Sequence, residues 1–183
     1  MLNQRDFYFV RHGETDWNLE HRAQGQTDIP LNSKGRMQAS TIPEKIRDVG
    51  IKLVCTSPLQ RAMETANIVA ENLGVPVQVI DELKEACWGG FEGTVKGKWY
   101  TDWMGGHTEK GAEAYGQFID RATRGLNLAL ANDGPVLIVA HGEVYWAVEH
   151  ATKIQNGGDA ANCGVMYHEP PCSNHPSWRI KRL

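Results

Sequence analysis

Apolar positions along this chain follow two rhythms. Short unbroken runs, Phe7-Tyr8-Phe9-Val10, Leu53-Val54-Cys55 and Val136-Leu137-Ile138-Val139-Ala140, have the length and continuity of strands covered on both faces. Between them the period becomes helical. Ala62, Ala66, Val69, Ala70 and Leu73 make one stripe, and Phe118, Ala122, Leu126 and Ala129 make another. The elements expected in order are a strand at 7–11, a helix from Ser33 toward Val49, a strand at 52–56 and a helix ending at Leu73. A strand at 75–80, a helix at 112–131, a strand at 136–140 and a helix at 142–151 follow. Local chemistry marks several ends. Ser33 and Ser57 are N-cap residue types, Pro58 suits a first helical position, and Gly74 suits a left-handed stop. Gly35 weakens the first helix, and Pro43 is expected to kink or split it. Segments 164–168 and 178–182 are weaker strand patterns around a loop holding Pro170, Pro171 and Pro176. From Glu82 to Gly111 neither period holds, which predicts a long loop with short helical pieces, usually a functional feature in a compact domain.

Strand and helix alternate four times, so the expected fold is α/β: one domain over residues 1–183, mainly parallel sheet, helices on both faces. Ligands of such sheets bind beyond the carboxyl ends of the strands. The chemically interesting residues obey that rule. Arg11-His12-Gly13 ends the first strand, Ser57 to Arg61 follows the second, Glu85 the third, and His141-Gly142 the fourth.

Composition narrows the partners. Lys and Arg number 19 against 22 Asp and Glu, a net charge of −3, and no basic stripe suits nucleic acid. Residues 1–6 are polar and lack a signal-peptide core, and no run is long enough to span a membrane, so a cytoplasmic location without membrane partners is expected. Cys55, Cys87, Cys163 and Cys172 form no CxxC pair. A Cys163–Cys172 disulfide is disfavoured in a reducing compartment. No pattern specifies an oligomeric state.

The residue types suit phosphate chemistry. Arg11 and Arg61 offer planar forks to phosphate oxygens, and His141 adds a donor. A neutral His12 can attack phosphorus and split one difficult displacement into two. Glu85, protonated, can give its proton to the leaving oxygen and then take one from water. Other readings compete. His12 or His141 alone would more often be structural, Arg61 can pair with Glu64 at i, i+3, and Glu82 and Glu92 read as solvated charges. Glu14 and Glu143 either orient the site histidines or cap turns. Trp99 and Trp103, at i, i+4, read first as core and second as a wall for the leaving group. The remaining histidines lack paired ligand spacing, so no metal site is expected.

These blocks resemble the histidine phosphatase superfamily, the phosphoglycerate mutase-like group, over nearly the whole chain. The resemblance rests on Arg11-His12-Gly13-Glu14-Thr15 with Trp17-Asn18, Gln24-Gly25, Ser57-Pro58-Leu59-Gln60-Arg61-Ala62, Leu83-Lys84-Glu85 and Val139-Ala140-His141-Gly142. It implies that His12 is phosphorylated, that Arg11, Arg61 and His141 hold the phosphate, and that Glu85 is the proton donor. It further implies that Asn18, Gln24, Gly25 and Gly142 meet substrate, a small phosphorylated metabolite, with no metal or other cofactor. The phosphatase branch is favoured over a mutase. The stretch Trp99 to Met104 has none of the arginines that mutases carry in their longer insertion. Thr15 and Glu143 replace residues usual in mutases, although Lys96 lies where a mutase has a substrate lysine. A phosphate-binding module without turnover is a further alternative.

Overall fold

A computed structural model describes residues 1–154 and 160–183. Its sheet contains β1 (Phe7–Arg11), β2 (Leu53–Thr56), β3 (Val77–Val79), β4 (Val136–Ala140), β5 (Val165–Glu169) and β6 (Arg179–Arg182), in the order β3-β2-β4-β1-β5-β6. The first four run parallel, and β5 and β6 add an antiparallel edge. The fold is therefore the expected mainly parallel α/β sheet.

Alternation along the central strands divides the core in two. Phe7, Phe9, Ile138 and Ala140 face a layer built on α5 (Tyr115–Leu130) and α6 (Gly142–Thr152), while Tyr8, Val10, Leu137 and Val139 face α2 (Ser33–Ile46) and α3 (Gln60–Leu73). Burial on both sides is why these strands read as continuous apolar runs.

Several boundaries depart from the sequence expectations, each for a local reason. Asn32, not Ser33, caps α2, its Oδ1 accepting the Gly35 N–H at 2.8 Å. α2 continues through Pro43 without a break and ends at Ile46, where a 3-10 turn carries on to Val49. Ser57 does not cap α3: its Oγ lies 2.8 Å from His141 Nε2 and accepts the Leu59 N–H, so the helix begins only at Gln60. The Gln60 N–H is instead taken by Asp28 Oδ1 at 2.7 Å. α5 begins at Tyr115 rather than Ala112, because Glu113 is drawn out to Arg121 and to the Cys87 backbone. β3 is an edge strand shorter than expected. A four-residue helix, α1 (Asp16–Leu19), follows the first motif, capped by Thr15. Within 82–111 lie 3-10 turns and α4 (Lys98–Met104). Cys163 and Cys172 are free thiols, one buried and one exposed.

Candidate active site

Neighbouring strands deliver the two histidines. β1 and β4 pair with Arg11 opposite Ala140, and the His12 N–H donates to the Ala140 carbonyl at 3.0 Å. The His12 and His141 rings consequently stand 5.3 Å apart between centroids. His12 Nδ1 lies 2.7 Å from the Gly13 carbonyl oxygen. A carbonyl can only accept, so Nδ1 carries the hydrogen and Nε2 keeps its lone pair. Asn162 Nδ2 holds the His12 carbonyl at 2.7 Å, and Thr65 Oγ1 accepts the Gly13 N–H at 3.1 Å. Burial, with Arg61 and Arg11 nearby, holds the His12 imidazole well below the usual histidine range. His141 is lowered in the same way, by burial and then by Arg61. Both rings are therefore neutral near neutral pH.

Around them are donors without acceptors. Arg11 Nε, Arg61 Nε and His141 Nδ1 are buried with no hydrogen-bond partner among the described residues. Leaving such a group unpaired ordinarily costs about 1–3 kcal/mol. Ser57 Oγ accepts from Leu59 and can give its own hydrogen to His141 Nε2, which makes Nδ1 the donor. Arg61 does not pair with Glu64, which binds Arg36. It spends Nη1 and Nη2 on the carbonyls of Thr27 and Gly25, at 3.1 and 2.7 Å, tying down the 24–28 loop. Burial lowers Arg61 to about 10, still a cation at neutral pH.

A cavity of about 390 Å³ opens beside these groups. Arg11, Asn18, Gln24, Gly25 and Glu85 are among its walls, whereas His12, Arg61, His141 and Gly142 are not. Gln24 Oε1 is a further buried atom without a partner among the described residues. Gly25 has φ +56, and a Cβ there would lie 2.2 Å from the Glu92 carboxylate. Gly142 opens α6, where a Cβ would make ordinary contact with the Arg11 guanidinium at 3.7 Å.

Glu85 is buried, and burial followed by the nearby Glu143 pushes its carboxyl well above the usual range. The shift favours the protonated form of this carboxyl. Arg121 holds its loop from behind, donating to the carbonyls of Glu82, Lys84 and Glu85 and pairing with Glu113. Glu92 is no solvated charge either. Its carboxylate accepts the N–H groups of Gln26, Thr27 and Trp88, bridging the 24–28 loop to the acid segment.

Trp99 and Trp103 do not wall the main cavity. Trp99 stacks on Phe91 at 4.6 Å, Trp103 is buried with Nε1 on the Glu113 carbonyl, and both border a separate cavity of about 210 Å³. Trp17, Arg22, Trp88, Val95, Lys96 and Glu143 are also among the main walls. Glu143 and its partners Lys96 and Tyr100 belong to the site in a way the sequence did not reveal, since 47 and 43 residues respectively separate them from Glu143. Glu14 orients no histidine: its carboxylate binds Lys34 and Asn32. Among the described residues, no three His, Cys, Asp or Glu side chains gather as a metal site, and no helix is long and apolar enough to cross a membrane.

Known proteins resemble this chain over most of its length. Residues 7–161 match the family described as histidine phosphatase superfamily (branch 1). An uncharacterized phosphatase, PhoE, of Bacillus subtilis strain 168 is 39% identical over 182 residues, covering 94% of this chain and 90% of its own. A probable phosphoglycerate mutase, GpmB, of Enterobacter sp. strain 638 is 44% identical, but over only 85 residues, 46% of this chain and 40% of its own. Among solved structures, a mycobacterial glucosyl-3-phosphoglycerate phosphatase complexed with VO3 superimposes with TM-score 0.78 at 26% identity, covering 97% of each chain. A phosphoglycerate mutase of Thermus thermophilus gives 0.76 at 27% identity, covering 98% of each.

Proposed function

Because the chain belongs to the histidine phosphatase superfamily, we propose that it is a metal-independent phosphomonoesterase for a small phosphorylated metabolite, working through a phosphohistidine at His12. One observation carries the reading. A buried, neutral His12 with its Nε2 lone pair free stands beside unpartnered N–H donors on Arg11, Arg61 and His141.

In the first step His12 Nε2 forms a bond to phosphorus while the ester P–O bond breaks. Its electrons stay on the departing oxygen, which takes the proton of Glu85. In the second step water attacks the phosphohistidine, gives a proton to Glu85, and the P–N electrons return to the imidazole. Arg11, Arg61 and His141 meet the charge on the phosphoryl oxygens throughout. Bound phosphate favours the protonated form of His141, opposing the effect of the arginines. Asn18, Gln24 and Gly25 face the alcohol half of the substrate.

A mutase using the same intermediate is the second reading, favoured by Lys96 on the cavity wall. That ammonium is already engaged by Glu143, which favours hydrolysis. A binding module without turnover gives no reason to keep a protonated buried Glu85 near a neutral His12.

The test is hydrolysis of phenyl phosphate in EDTA. Wild type is expected to turn over and His12→Ala to be inactive, with acid-labile phosphate trapped on His12. Loss of activity on chelation, or label on another residue, refutes the reading. Efficient bisphosphate-stimulated interconversion of 3- and 2-phosphoglycerate establishes the mutase instead.

A further inference from the structure

Glu143 sits in the first turn of α6 with its side chain buried. Its Oε1 accepts the Tyr100 hydroxyl at 3.0 Å and the Lys96 ammonium. Its backbone N–H reaches Glu85 Oε2 at 3.3 Å, and the two carboxyl groups share a hydrogen bond. Carboxyl groups this close ionise together only at a cost in energy, so in the resting site the pair favours keeping one proton.

The surroundings decide which one keeps it. Lys96, itself lying over the Trp88 and Tyr100 rings at 4.9 and 4.4 Å, binds Glu143. Among the described residues Glu85 accepts backbone N–H groups only, from Ala86 at 3.1 Å and from Glu143. Other charged groups bear on the pair from every side. Arg61 comes from α3, Arg11 from β1, and Arg121 from α5 through the Glu85 carbonyl. They favour ionisation of the pair as a whole, whereas among the described residues the Lys96 ammonium and the Tyr100 hydroxyl bind the Glu143 carboxylate directly. Burial alone would lift Glu143; Lys96 and the hydrogen bond from Glu85 hold it at about 2.

We infer that Glu143 is a positioning residue for the acid: a fixed carboxylate, anchored by Lys96 and Tyr100, that keeps the proton on Glu85 until the ester oxygen takes it. The inference rests on the reading of Glu85 as proton donor. An ordinary glutamate would be ionised at neutral pH and have no proton to give. Once Glu85 has given its proton to the departing oxygen, two carboxylates face each other. Their repulsion makes Glu85 a stronger base for the water that cleaves the P–N bond. The water proton returns to Glu85, and the charge on Glu143 does not change during the cycle.

The experiment is the pH profile of kcat/KM on phenyl phosphate, a substrate whose leaving group needs a proton. The basic limb reports loss of the acid in the free enzyme. Glu143→Gln keeps the shape, removes the charge and leaves Lys96 facing Glu85. The limb is expected to move down by about one pH unit, roughly a tenfold loss above it. Lys96→Met removes the cation and is expected to move the limb up. Opposite displacements do not arise from a merely structural role, which lowers the whole profile together. A Glu143→Gln limb within about 0.3 units of wild type, or a uniform loss, overturns the inference. Should that variant fail to fold, Lys96→Met decides: with Glu143 no longer held as a carboxylate the proton is shared between the pair, so the limb must rise and the plateau below it must fall, and a limb that stays or falls, or a plateau that is kept, overturns it. Glu85→Gln is measured in parallel. If it retains wild-type kcat, the acid assignment itself has failed, whatever Glu143 does.

Discussion

Substituting Gly35 by alanine should damage catalysis from a position that touches no substrate. Gly35 lies in the first turn of α2, packed against the backbone that follows His12. The Asn32 N–H donates to the Glu14 carbonyl at 3.0 Å, and Gln38 Oε1 accepts the Glu14 N–H at 2.9 Å. A Cβ on Gly35 would stand 2.1 Å from the Glu14 carbonyl oxygen and 2.7 Å from its nitrogen. Both are backbone atoms and cannot rotate away. Restoring ordinary contact, from 2.1 to 3.4 Å, requires the segments to part by about 1.3 Å. Overpacking of this kind costs about 1–3 kcal/mol, and for a chain of this size each kcal/mol lowers Tm by about 2–4 °C. The catalytic loss should be larger in proportion. Glu14 is two residues from His12, whose ring is set by its 2.7 Å contact with the Gly13 carbonyl, and a displacement near 1 Å can cost ~10²-fold in rate. The assay is kcat on phenyl phosphate with Tm by circular dichroism, at a temperature where the variant is folded. Gly116→Ala is the control, since a Cβ there meets nothing within 4 Å and alanine suits a helix better than glycine. A Gly35→Ala enzyme with wild-type kcat and Tm would refute the reasoning.

Three other outcomes are expected. The acid limb of kcat/KM should lie below pH 6.5, the usual histidine value, because buried His12 stays unprotonated until the pH falls through its lowered pKa; a limb at or above 6.5 contradicts the assignment. His168, stacked on Phe7 and 3.2 Å from the Tyr145 hydroxyl, is lowered by burial to about 4. Below 6.5 the unfolded chain takes up its proton before the folded one does, so stability is lost as pH falls from 6.5 toward 4, by up to about 3 kcal/mol. His168→Gln should flatten that part of a Tm-against-pH curve, and an unchanged slope counts against the account. Arg121→Lys should lower both kcat and Tm, because an ammonium cannot replace the fork that spans three carbonyls and Glu113; the loss is expected near 2 kcal/mol, about that of a lost hydrogen bond to a charged group, and a variant as stable and active as wild type would show the clamp to be dispensable.

What the sequence made legible was local. β1 and β4 are visible because both faces are covered, and the residues just beyond them follow from the rule of strand ends. Arg11, His12 and His141 could thus be nominated as candidates from position and residue type, and Glu85 from its place after the third strand. Cap positions were harder, because Ser57 is as good an N-cap type as Asn32. Nothing in its neighbourhood says that its hydroxyl is claimed by His141, 84 residues away. The same holds for Asp28, which closes the start of α3 from outside the helix.

The electrostatics of the acid were illegible for a related reason. Glu85 looks like any glutamate, and its proton is held by Glu143, whose own charge is fixed by Lys96 and Tyr100 on a third segment. No period links these residues. Neutral imidazole, protonated carboxyl and anchored carboxylate are properties of burial and close approach, and neither exists until the loops have closed. A sequence pattern can therefore nominate the reacting groups, but their protonation states belong to contacts between segments far apart in the chain. Substitutions at Lys96 or Tyr100, outside the blocks that hold the reacting groups, should retune the pH range of the reaction while His12, Arg11 and Arg61 remain intact.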